Sequence, residues 1–150
     1  MIIINVNRYF GTPNITKSHV IISDEDGKEL MRCEAREARF VDYALGEKVP
    51  GSRFFCLARG EYQLRTTSDE GNPICLKIWR EPSRRGFLIS CFECKHQFHV
   101  CKMNLGYADS GMPPHAHLCD IDRCREDFMK VLYEHYGEEI RMVVSNNGLP

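Results

Sequence analysis

The chain has 150 residues, 43% hydrophobic and 27% charged, a balance that suits one globular core and excludes disordered or fibrous character. A formal charge of −1 and a pI near 6.6 exclude the broadly basic surface that nucleic acid selects. No apolar run approaches the roughly 18 residues of a membrane helix, and Met1 to Arg8 lacks a basic leader, so a cytoplasmic domain with reduced thiols is expected.

Taken in chain order, Ile2 to Phe10 reads as a strand opened by β-branched residues and closed by Gly11, Thr12, Pro13 and Asn14. His19 to Ile22 and Leu30 to Cys33 flank an acidic turn, Asp24-Glu25-Asp26-Gly27, whose Asp-Gly step predicts a hairpin because glycine accepts positive φ. Arg36 to Arg59 is irregular, with Gly46, Pro50 and Gly51 marking a loop before Phe54 to Leu57. Glu61 to Thr67, Ile74 to Trp79 and Phe87 to Cys91 are three short strand candidates. Lys77, Arg80, Arg84 and Arg85, near Trp79, are the best local candidate for a polyanion site, with a solvated basic loop as the favoured reading.

One helix is predicted from about Ile121 to Tyr136. Asp120 or Asp122 caps it, Phe128, Val131, Leu132 and His135 form its stripe, and Gly137 stops it. Ile140 to Val144 reads as a closing strand. The pattern predicts an α+β fold, a mainly antiparallel twisted sheet or partly closed barrel with one C-terminal helix. Residues 1–144 form one domain on this reading, and 145–150 a flexible tail.

The chemistry concentrates between Cys91 and Cys124, which hold nine of the fourteen cysteines and histidines: Cys91, Cys94, His96, His99, Cys101, His115, His117, Cys119 and Cys124. Strand parity puts His115, His117 and Cys119 on one face of their arm, and on the preceding arm His99 and Cys101 share a face while Cys94 and His96 share the other. If the turn-rich stretch from Asn104 to Pro114 closes a hairpin, those five converge as a mixed nitrogen and sulfur site for zinc. The same residue types also serve as core fillers and local hydrogen-bonders, and Cys91-x-x-Cys94 has no matching second pair to complete a standard zinc module. A third use is nucleophilic. Cys119 precedes Asp120 at the head of the helix, where the macrodipole favours a thiolate, and His117 or His99 is the candidate base.

Several short motifs recur in an order that resembles a small bacterial and phage domain family of unknown function. They are Asn7-Arg8, Asn14-Ile15-Thr16 through Asp26-Gly27, Leu30 through Cys33-Glu34, and Ala58-Arg59-Gly60-Glu61-Tyr62. That family's Ile-His-x-Gly-Asn and Gly-Cys-Ile segments are similar to the His and Cys pair of L,D-transpeptidases, which implies a cysteine nucleophile acting on peptidoglycan or peptides. Here Ser90 stands in the histidine's place, and His117-Leu118-Cys119-Asp120-Ile121 lacks the glycine. The sequence therefore points to a non-catalytic binding or accessory domain of bacterial or phage type, with a protein or small-molecule partner and a zinc-stabilised hairpin. A cysteine-nucleophile enzyme using Cys119 and His117 is the alternative.

Overall fold

A computed structural model describes residues 1–44, 56–69, 72–78, 103–108 and 118–146, with the backbone alone over 65–69 and 72–78. Its elements are β1 (Ile2–Gly11), β2 (Thr16–Asp24), β3 (Glu29–Glu37), β4 (Gly60–Asp69), β5 (Asn72–Ile78), β6 (Met103–Gly106), α1 (Ile121–Glu134) and β7 (Ile140–Ser145). The strands form one seven-stranded sheet in the order β5-β4-β7-β1-β2-β3-β6. It is the expected α+β architecture, and the sheet is open: its end strands β5 and β6 do not pair with each other.

The predicted hairpin is β2 and β3, paired from Thr16↔Glu37 through Ile22↔Met31. Its tip is a three-residue loop, in which Gly27 (φ 86) donates its N–H to Asp24 O at 3.1 Å and Asp24 N–H reaches Lys28 O at 3.0 Å. The Asp24 carboxylate accepts from the backbone N–H groups of Asp26 and Lys28 and braces the turn.

The expected closing strand takes a different place. β7 lies inside the sheet, parallel to β1 from Ile2↔Ile140 to Asn7↔Ser145 and antiparallel to β4. Ile140, Met142 and Val144 alternate inward, so the late strand completes the core. The first two residues of the predicted tail are part of the fold. Ser145 ends β7, and the Asn146 side chain accepts from Arg8 and donates to Asp42 at 2.7 Å, whereas 147–150 lie outside the described residues. The predicted strand over Phe87 to Cys91 lies outside them too.

Ile2, Ile4, Val6, Val20, Ile22, Met31, Cys33 and Ala35 share one sheet face and meet Cys124, Phe128, Val131 and Leu132 of α1. Burying Phe128 or Leu132 there stabilises the fold by about 1.5–3 kcal/mol each. Asp120 occupies the N-cap position but adopts a left-handed conformation (φ 47, ψ 45) and makes no side-chain cap bond, because it turns the chain from a bridge at Cys119 into the helix. Asp122 in the first turn favours the helix through its charge. His135 leaves the predicted stripe: it is the C-cap, and its Nδ1 is 2.5 Å from Glu138.

Candidate functional site

On the sheet face opposite α1, strand register aligns Ser145, Asn7, His19, Glu34 and Gly106 as directly opposed residues of β7, β1, β2, β3 and β6. Alternation dictates this placement. Val6, Val20, Cys33, Ala35 and Val144 point into the core, so their neighbours in sequence point out. Ser145 Oγ donates to Asn7 Oδ1 at 3.0 Å, which fixes one end of the row. At the other end Gly106 leaves room for Leu118. A Cβ there would lie 2.7 Å from the Leu118 Cβ.

Tyr9 joins the row through a β-bulge, the register shift between Arg8 and Phe10 that makes Tyr9 the extra residue. Its ring stacks flat on His19, with centroids 4.0 Å apart and planes 10° from parallel. Its hydroxyl donates to Glu34 Oε1 at 3.0 Å. Burial and the Glu34 carboxylate push the Tyr9 phenol well above the ordinary tyrosine range.

Glu34 is the centre of the arrangement. Its side chain is 8% exposed, whereas that of His19 is 56% exposed. His19 Nδ1 lies 3.2 Å from Glu34 Oε2 but out of hydrogen-bonding alignment, so buried Oε2 has no hydrogen-bond partner among the described residues. Lys17, also buried, supplies the nearby positive charge. Its ammonium is held below the usual lysine range by burial, and the charges of Glu34 and Cys119 work in the opposite direction.

A second buried carboxylate lies on the core face of the same strand. Glu37 accepts from Arg8 Nε at 3.0 Å, from Arg8 Nη2 at 2.8 Å and from the Leu57 backbone N–H at 3.0 Å. Arg8 also donates to Leu57 O at 2.7 Å and Asn146 Oδ1 at 3.2 Å. Burial disfavours the guanidinium's charge, and Glu37 more than offsets this, raising the Arg8 pKa. Both side chains are 0% exposed. This cluster fastens residues 56–58 and the end of β7 to the sheet and leaves nothing open to a ligand.

Of the five residues expected to gather around zinc, only Cys119 is described; His99, Cys101, His115 and His117 lie outside the described residues, as does Ser90. Cys119 forms an antiparallel bridge with Tyr107, exchanging both backbone bonds at 2.7 Å. Among the described residues no three metal-ligating side chains converge. Cys119 does stand just before the helix, half-buried and within electrostatic reach of Lys17.

Sequence reasoning passed over Tyr9, Lys17, His19 and Glu34 because it followed the density of cysteine and histidine. The usable signal was geometric, since the Asp26-Gly27 reversal that predicts the hairpin also sets His19 close to Glu34. Glu61, Tyr62, Gln63, Glu139 and Arg141 line an open depression, where Arg141 already meets Glu61 at 3.3 Å and Glu139 at 3.2 Å. No helix among the described residues is long and apolar enough to cross a membrane. Comparison with family models, with curated proteins and with solved structures finds no match.

Proposed function

We propose that this chain is a non-catalytic binding domain whose ligand lies on the polar row and stacks on His19. The observation that carries this is Glu34 Oε2, a buried acceptor without a hydrogen-bond partner among the described residues, beside an exposed ring already held flat by Tyr9. Leaving a buried acceptor unmade costs about 1–3 kcal/mol, which a ligand donor reaching Oε2 beside the stacked His19 ring would recover. Lys17 already opposes the Glu34 charge, so a second full cation gains little. The ligand is therefore a small molecule with a neutral planar N–H donor, such as a carboxamide or an aminated heteroaromatic ring.

The test uses benzamide, benzamidinium and benzoate as neutral, cationic and anionic probes of one shape, followed by NMR. Benzamide is expected to shift the Tyr9 and His19 ring resonances most, and Glu34→Ala to remove the effect. Benzamide shifts that persist unchanged in Glu34→Ala, or a stronger response to benzoate, overturn the assignment.

One observation favours the cysteine-nucleophile alternative: Cys119 sits at the head of α1 near the Lys17 charge. Such an enzyme requires Cys119 to alkylate below pH 8 and faster than the other seven thiols. Uniformly slow labelling removes it. Zinc in the Cys91 to Cys124 segment is checked by elemental analysis of protein purified without affinity-tag metal, where a near-stoichiometric amount is the expected result.

A further inference from the structure

A second acceptor on the open face is in the same condition as Glu34. Asn104 lies on β6 between Met103 and Leu105, which are buried in the core, so alternation turns the Asn104 side chain to the face that carries His19 and Glu34. Its Oδ1 is buried and has no hydrogen-bond partner among the described residues. Ser18 Oγ shares that condition but sits on the core face, where it is opposed to Arg8 and Ala35. Register brings the two open-face acceptors near each other. Glu34 is opposed to Gly106 and Arg36 to Asn104, so Glu34 and Asn104 are diagonal neighbours about 7–8 Å apart across the antiparallel β3–β6 pair. Their own side chains do not close the gap, since Glu34 Oε2 accepts nothing from the Asn104 amide. Leu118 fills the space over Gly106 at one corner of this patch, and Arg36 at the other corner is exposed.

We propose that Asn104 is a second binding residue of this face and takes a hydroxyl of the ligand, which is a nucleoside. Its aminated ring lies on His19 and donates to Glu34, and a sugar hydroxyl donates to Asn104 Oδ1. The assignment rests on the ring site at His19 and Glu34. The two N–H groups of one amine or carboxamide share a nitrogen and cannot serve acceptors set this far apart, so the second donor comes from another group of the same molecule. A hydroxyl suits the Asn104 amide better than an N–H does, because it can donate to Oδ1 and accept from Nδ2. A phosphate or carboxylate at this position offers Oδ1 no proton and meets the Glu34 charge. Leu118 presents an apolar wall to the carbon atoms of the sugar beside Gly106.

The experiment titrates the full chain with adenosine and with 9-methyladenine, which keeps the base and lacks the sugar, and follows the ring and side-chain amide resonances by NMR. Both ligands should shift the Tyr9 and His19 rings. Adenosine alone should shift the Asn104 side-chain amide, and it should bind about 5- to 10-fold more tightly, the value of one hydrogen bond. Asn104→Ala should bring the two affinities within about twofold of each other by weakening adenosine only, whereas Glu34→Ala should weaken both. Equal binding of the two ligands by the native chain, or an adenosine advantage that survives Asn104→Ala, overturns the hydroxyl assignment and leaves the ring site standing. No shift of Tyr9 or His19 with either ligand overturns the ring site, and the role of Asn104 falls with it. The Asn104 amide is read in the native chain, so the comparison decides the matter even if the variant folds poorly.

Discussion

Glu34 and Glu37 stand three residues apart on β3, both buried, and face opposite sides of one sheet. Glu37 faces a permanent cation, with both oxygens held by Arg8 and a third bond from Leu57 N–H. Among the described residues the Glu34 carboxylate accepts one hydrogen bond, from Tyr9, and its other oxygen lies beside an exposed and misaligned His19. The difference separates two uses of a buried charge. A carboxylate whose acceptors are filled by its own chain fixes structure, and one left partly unfilled retains a directional site for another molecule.

The largest effect that should divide them is on stability. Glu37→Gln removes the charge opposite a fully buried guanidinium and should cost about 3–5 kcal/mol. The loss should be seen as a lower urea midpoint with an unchanged slope. Gly106→Ala comes next. Its new Cβ would lie 2.7 Å from the Leu118 Cβ and 3.3 Å from Cys119 O, forcing residues 118–119 away from β6 at about 1–3 kcal/mol. That change should also weaken amide exchange protection of Tyr107 and Cys119, which bond each other across the same edge.

Glu34→Gln should be the mildest of these, within about 1 kcal/mol, since the Tyr9 hydroxyl can still donate to the amide oxygen. A loss equal to that of Glu37→Gln would erase the distinction between the two carboxylates.

Much of the fold was legible because it depends on periodicity. Ile2, Ile4 and Val6 alternate, Asp26-Gly27 turns the chain, and Phe128, Val131 and Leu132 mark a helical stripe. Sheet order was not legible, because nothing local to Ile140–Ser145 says that it inserts between β1 and β4. Core parity also carries Arg8 inward after Val6 and Glu37 inward after Ala35. Two opposite charges at apolar positions of separate strands were a readable sign of a buried ion pair. The polar row was harder to read, since Ser145, Asn7 and Glu34 become neighbours only once the pairing of β7, β1, β2 and β3 is known.

The smallest expected effect is also the most specific to the open face. Folded Tyr9 keeps its proton above the range near pH 10 where an unfolded tyrosine ionises, because of burial and Glu34. The folded state then binds more protons than the unfolded state, so this contribution is intact below about pH 10 and is lost as the pH rises through the folded value. Lys17 acts with the opposite sign. Its folded pKa is lowered from 10.5, so its own term becomes more favourable as the pH rises toward that value. Total stability therefore mixes the two, and the difference between the native chain and Tyr9→Phe isolates the phenol. That difference should decline above pH 10 in urea titrations. In Glu34→Gln, ultraviolet titration should find one phenol ionising at lower pH than before, since the facing charge is gone. An unchanged phenolate curve would mean that burial and the hydrogen bond hold the Tyr9 proton without help from the Glu34 charge.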